Sequence, residues 1–195
     1  MTTKEEDPPR TKKERTHQRI VGVAARLFRK HGYDATGVDT LMGEAELTRG
    51  GFYAHFRDKA GLFAEALDHA FDESTENLLA RGLEALRGEA WAARAAERYL
   101  DMAHRDRPAS GCAVPALGAE VARAPRGVRA RFTRRASLLV ELVAERLAPE
   151  GADAKARAHA RREAIAMLAR WAGAMLLARA VDDRTLAEEI LRAAR

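Results

Sequence analysis

Apolar residues along this 195-residue chain recur at spacings of three and four, the period of a helix face. The first such stripe is Ile20, Val23, Ala24, Leu27 and Phe28. Thr11-x-x-Glu14 ahead of it has the form of a capping box, and Gly32 after Lys30 and His31 supplies a stop. A short helix is predicted after Thr36, with Val38, Leu41 and Met42 as its apolar positions. Another follows the cap residue Thr48 and places Phe52 and Phe56 four apart. Asp58 then caps a long helix, 58–82, whose inner side carries Leu62, Phe63, Ala66, Leu67, Ala70 and Phe71. Further helices are expected near 88–104, 114–123, 126–148, 152–179 and 182–194. Pro108 with Gly111, Pro125, Pro149 with Gly151, and Asp182-Asp183 separate them. The polar residues 1–10, with Pro8-Pro9, read as a disordered tail.

Composition supports the same all-α reading. Ala occurs 42 times, whereas Val and Ile together reach 12, too few for a sheet protein. The single cysteine, Cys112, excludes an intrachain disulfide and multi-cysteine zinc modules, and points to a reducing cytoplasm. The longest apolar stretch of helical character, Trp171 to Ala178, is eight residues, well short of the ~20 that span a bilayer. No membrane role is expected.

Charge changes the picture more than composition does. The chain has a formal net charge of +5, but residues 10–31 alone carry +7, from Arg10, Lys12, Lys13, Arg15, Arg19, Arg26, Arg29 and Lys30 against Glu14. Residues 32–195 balance to zero. A polyanion is the obvious partner for that segment, and a solvated amphipathic helix is the plain alternative.

Behind the basic helix, two short helices joined by a tight turn have the geometry of a helix-turn-helix, whose second member enters the major groove of DNA. Thr48 to Phe56 reads as that second helix, anchored by Phe52 and Phe56. Arg49 projects from its first turn with the fork geometry that pairs guanine O6 and N7. Gly50 and Gly51 cost about 1 kcal/mol each as helix residues, and close approach to DNA is the functional compensation. Tyr53 and His55 lie off the apolar stripe and can donate to phosphate, and Lys59 adds a cation at the start of the next helix.

The series Arg19-Ile20-x3-Ala24-Ala25-x-Leu27-Phe28-x3-Gly32-Tyr33-x2-Thr36-x-Val38, then Leu47-Thr48-Arg49-Gly50-Gly51-Phe52-Tyr53-x-His55-Phe56-x-Asp58-Lys59-x2-Leu62, resembles the DNA-binding domain of TetR-family regulators. The resemblance covers about residues 15–67. It implies phosphate contacts by Thr36, Thr48, Tyr53, His55 and Lys59, and bases facing Arg49 and Gly50. Two positions depart from the family pattern. Glu46 stands at the turn glycine, which puts a non-glycine residue in a strained φ, and Met42 replaces a small alanine, which widens the helix crossing. The resemblance further implies a helix-turn-helix domain at 11–57 followed by a helical effector-binding and dimerisation domain at 58–195, about nine helices in all.

For that second domain the large or adaptable residues offered as effector lining are Trp91, Tyr99, Met102, Cys112, Phe132, Met167 and Trp171. Ala164, Leu168, Ala172, Leu176, Leu186, Ile190 and Ala194 are offered as a four-helix contact between two copies. Segment 99–117, with Gly111-Cys112 at its centre, resembles a loop found in one subset of the family. Cys112 follows Ser110-Gly111 at a helix start, where the dipole lowers a thiol pKa, so a redox switch is one reading and a buried apolar thiol the other. Arg123, Arg126, Arg129, Arg131, Arg134 and Arg135 form a run without an acid. It reads as a solvated face, with an anionic effector or nearby DNA as the alternatives.

Catalysis finds little support. None of the six histidines stands at metal-ligand i, i+4 spacing, and Asp68-His69 with Asp72-Glu73 is the only compact cluster of oxygen and nitrogen donors. No phosphate loop, nucleophile elbow or metal or cofactor motif stands out. The expectation is a non-enzymatic, homodimeric repressor, released from an inverted-repeat operator on double-stranded DNA by a small hydrophobic effector. The alternatives are redox control through Cys112 and a small-molecule-binding module without operator function.

Overall fold

The computed structural model describes residues 11–195, and the predicted tail at 1–10 lies outside them. Ten α-helices follow in order, with no strand among the described residues: α1 Lys12–His31, α2 Val38–Glu44, α3 Arg49–Phe52, α4 Lys59–Thr75, α5 Gly88–Tyr99, α6 Met102–Asp106, α7 Ala113–Val121, α8 Arg126–Leu147, α9 Ala154–Ala180 and α10 Arg184–Ala193. Their starts follow the predicted chemistry. At α1 the Glu14 N–H donates to the Thr11 hydroxyl at 3.2 Å and the Glu14 carboxylate accepts from the Thr11 N–H at 2.6 Å. Asp58, Asp153 and Asp183 cap α4, α9 and α10 with their side chains.

Three local readings are revised. The helix predicted at 88–104 breaks at Leu100, because the Asp101 carboxylate accepts from Ala103 N–H at 2.7 Å and starts α6 afresh. The cap of α2 is Gly37 rather than Thr36. The last part of the long helix loosens into a single π turn, Glu76–Ala80, and the Leu79 carbonyl there accepts the indole N–H of Trp91 at 3.2 Å.

α1, α2 and α3 form a small head, and α4 leads from it into the larger domain. The first half of α4 belongs to the core of the head, with Phe63 edge-on to Phe28 at 5.1 Å. In the larger domain α8 and α9 form the main hairpin, α10 packs on α9, and α5 closes against α8 and the π turn. One hydrophobic cluster runs through both parts, from Ile20 to Ala194.

Candidate nucleic-acid interface and its contacts with the helical domain

The turn between α2 and α3 is built around Glu46, which holds φ 54°, the only non-glycine residue in the left-handed region among those described. That strain, on the order of 1–2 kcal/mol, is the one the missing glycine implied. Met42 is buried, and a Cβ on Gly51 would stand 3.6 Å from its Cε. The larger residue on α2 is thus matched by an absent side chain on α3. Gly50 meets nothing within 4 Å and lies on the exposed side, open to a partner.

α3 is shorter than the 48–56 segment predicted. Only Arg49–Phe52 is helical, and residues 53–55 continue as turns through bonds such as His55 N–H to Phe52 carbonyl at 2.9 Å. Two glycines and a Thr48 cap without a side-chain hydrogen bond leave little to extend it. Thr48, Arg49 and Tyr53 are exposed, Tyr53 at 65% with its ring edge-on to Phe52. Arg49 donates to Asp39 on α2 at 2.8 Å, an ion pair in which both partners stay in solvent. Lys59 reaches over the Tyr33 ring, 4.2 Å from its centroid.

His55 is half-buried with Nδ1 unpaired, and its pKa is lowered by burial first and then by His17 and Lys13. Sequence reasoning missed His17, which stacks on Phe56 at 4.5 Å and pairs with Glu65 of α4 at 2.6 Å. Thr36 needs correction. It is buried and its hydroxyl donates to the Gly32 carbonyl at 2.7 Å, so the hydroxyl is not presented to phosphate.

Arg29 needs correction too. Counted with the basic surplus, it has no exposed side chain. It lies one turn from Ala25 and two from Val21, a buried stripe in which a basic residue must find internal partners. It donates to the Ala25 carbonyl at 3.0 Å, to the Gly111 carbonyl at 2.9 Å and to the Glu73 carboxylate of α4. Beside it, the Glu120 carboxylate of α7 accepts the Tyr33 N–H at 2.9 and 3.1 Å. The head is thus clamped to the larger domain at two places.

Behind Gly111 lies a polar node. His104 accepts the Cys112 N–H at Nε2 (3.1 Å), which leaves the proton on Nδ1 for the Tyr99 carbonyl at 2.6 Å. Burial lowers the His104 pKa to about 4. A Cβ on Gly111 would fall 2.7 Å from Arg179 Nη2 and 2.8 Å from His104 Nε2, so only glycine fits. Cys112 is buried and burial raises its pKa, which outweighs the helix-start effect and speaks against the redox reading.

The predicted effector residues are not gathered around one cavity. Trp91, Tyr99 and Trp171 are fully packed, Tyr99 meets Trp171 at 5.4 Å and Cys112 through its hydroxyl, and Trp171 Nε1 is buried without a partner. Phe132 and Met167 are half-buried against the same core, and Met102 borders a shallow cleft beside α10. One partly apolar cleft lies between α4 and α8, about 450 Å³, with Phe71, Leu138, Leu139 and Leu142 as its apolar walls and Asp72 and Arg135 at its polar edge. Phe132 touches it through Phe71 at 5.3 Å.

Among the predicted interface residues, Ala164 and Ala194 are buried in their own core and are not presented to a second copy. Leu176 and Leu186 are exposed, as are Ile165 and Leu177 of α9, while Leu168, Ala172 and Ile190 are half-buried. No helix among the described residues is long and apolar enough to cross a membrane, and no group of three or more potential metal ligands occurs among them.

The head and its support define a helix-turn-helix domain carried on a helical bundle. Residues 20–66 match the model for bacterial regulatory proteins of the tetR family, about a quarter of the chain. A curated relative, the HTH-type transcriptional regulator AcrR of Shigella flexneri, is 44% identical over 50 residues, which cover 26% of this chain and only 23% of the relative. The whole fold is like that of a TetR-family regulator from Cytophaga hutchinsonii, with TM-score 0.74 and 19% identity over 95% of this chain and 94% of the other. It is also like AibR in complex with isovaleryl coenzyme A and operator DNA, with TM-score 0.63 and 18% identity over 91% and 95% of the two chains. These likenesses are to regulators, not to enzymes.

Proposed function

We propose that the protein is a homodimeric transcriptional repressor that binds an inverted-repeat operator in double-stranded DNA and is released by a small hydrophobic effector. The observation that carries this reading is the exposed set Thr48, Arg49, Gly50 and Tyr53, with Lys59 at the start of α4, on a head whose opposite side is buried. Arg49 and Gly50 face bases in this reading, while Thr48, Tyr53, His55 and Lys59 hold phosphates. A single such head reads few base pairs, and two-fold repetition supplies the rest.

The exposed apolar residues Ile165, Leu176, Leu177 and Leu186 support pairing of α9 and α10 with a second copy. The α4–α8 cleft supports an effector of apolar body, because one wall is the helix that carries Lys59. AibR's complex with a ligand and operator DNA shows that protein using both partners on this fold. The test is anisotropy with labelled intergenic DNA flanking the gene, combined with light scattering. A dimer with steeply salt-dependent, saturable binding is expected. A monomer on DNA, or equal affinity for all duplexes, overturns the reading.

A further inference from the structure

The arginine run of 123–135 divides into two halves in the folded chain. Arg131, Arg134 and Arg135 converge on Asp68 of α4, Arg131 at 2.8 Å, and Arg135 also pairs with Asp72. Two carboxylates thus face these three guanidinium groups, with Arg131 and Arg135 closely paired and Arg134 at 4.0 Å and largely in solvent. Arg123, Arg126 and Arg129 are exposed, and no ion pair or side-chain hydrogen bond engages them among the described residues.

Their position gives the second half its meaning. The α7–α8 corner that carries them packs on the head: Arg123, Ala124, Pro125 and Val128 share a small enclosed cleft with Tyr33, Asp34 and Ala60. Tyr33 is the ring beneath Lys59, and its backbone N–H is held by Glu120, one turn before Arg123. The corner is therefore rigidly joined to the part of the head where the phosphate-facing lysine begins α4. The acids nearby are Glu120, which is engaged with Tyr33 N–H, Asp58, which caps α4, and Asp34. α8 begins at Pro125 with no side-chain cap and no acid in its first turn, so the positive pole of the helix adds to the guanidinium charge. Three exposed cations that no ion pair engages repel one another in the free protein, and a polyanion relieves that repulsion.

We propose that Arg123, Arg126 and Arg129 form a second DNA-contacting surface, on the larger domain, that binds backbone phosphates flanking the segment read by α3. This rests on the reading of the head as a DNA-binding module. The contact carries no base information, so it adds affinity and salt dependence without changing sequence preference.

The test uses the full chain and a labelled 40-base-pair duplex of arbitrary sequence, with affinity measured by anisotropy over a range of KCl. Each lost phosphate contact lowers the slope of log Kobs against log[KCl] by about 0.9. The triple variant Arg123→Gln/Arg126→Gln/Arg129→Gln should lower it by about 3–5 per dimer. A charge-matched control, Arg87→Gln/Arg94→Gln/Arg157→Gln, removes three arginines of α9, α5 and the α5 N-cap, outside the α7–α8 corner, and should leave the slope unchanged. Thermal unfolding of both variants separates misfolding from lost contacts. As a second measurement, the single variant Arg126→Gln should lower the slope by about 1–2 in the same assay. An unaltered slope in both the triple and the single variant, with wild type binding steeply, overturns this proposal alone. Equal falls in the triple variant and the control reduce it to a net-charge effect and overturn it as well. Wild type that binds no duplex overturns the head assignment and this surface with it.

Discussion

The guanidinium of Arg29, fully inside the protein, donates to the main-chain carbonyl of Gly111 at 2.9 Å. Arg29 belongs to α1 of the reading head, whereas Gly111 lies between α6 and α7 of the larger domain. The same guanidinium meets Glu73 on α4, so one side chain ties three segments whose relative placement sets the angle of the head.

Arg29→Met removes the charge while keeping much of the volume. It leaves Glu73 and the Gly111 carbonyl short of a donor. A loss on the order of 3 kcal/mol is expected, reduced because Glu73 keeps about a third of its side chain in water. Urea unfolding monitored by circular dichroism checks it, and a change below about 0.5 kcal/mol would show that the buried pair is dispensable.

Gly111→Ala places a methyl group against Arg179 and His104 at under 3 Å. The His104 ring is held at both nitrogens and cannot easily yield. Overpacking of this kind costs about 1–3 kcal/mol. By contrast, Gly127→Ala meets nothing within 4 Å and should be neutral or slightly stabilising in the same measurement.

His104 makes stability depend on pH in a defined window. Its pKa falls from the ordinary 6.5 to about 4 on folding, so the unfolded chain binds the proton more readily between those values. Stability from this group is complete above about pH 6.5 and falls as the pH drops toward 4, by an amount on the order of 3 kcal/mol. His104→Gln keeps a donor for Tyr99 and an acceptor for Cys112 without titrating. Its unfolding free energy should vary less between pH 7 and pH 4.5 than that of wild type. Parallel pH dependences would assign the effect to other groups.

Asp39 holds Arg49 in the free protein through an exposed ion pair, a contact that stabilises the fold by less than about 1 kcal/mol. Asp39→Asn releases that guanidinium and removes a negative charge from the proposed DNA face, so affinity for duplex DNA should rise. Arg49→Ala should lose on the order of 1–3 kcal/mol for a specific site and relax one base position. Competition binding with single-base operator variants reads both effects.

Much of the head was legible in the chain because its signals are local. The Thr11–Glu14 box, the stripe through Phe28, the Phe52 and Phe56 anchors and the Asp58 cap each depend on residues within a turn or two of one another. The strained φ at Glu46 was legible for the same reason, since a tight turn imposes its geometry on whichever residue occupies it. What the sequence by itself determined was therefore the all-α class, the helix-turn-helix pattern and the confinement of excess charge to the N-terminal segment. Tertiary structure decided which charges count. Arg29, Arg131 and Arg135 look in sequence like Arg26, Arg126 and Arg129, yet partners 44 to 82 residues away draw the first group into internal pairs. It also decided that Tyr99, Cys112 and Trp171 pack as core instead of lining a cavity, and that Ala164 faces inward while Leu176 faces out. Helical periodicity tells that a stripe is buried, but only the packing of other helices tells against what, because that depends on distant residues that no local spacing encodes.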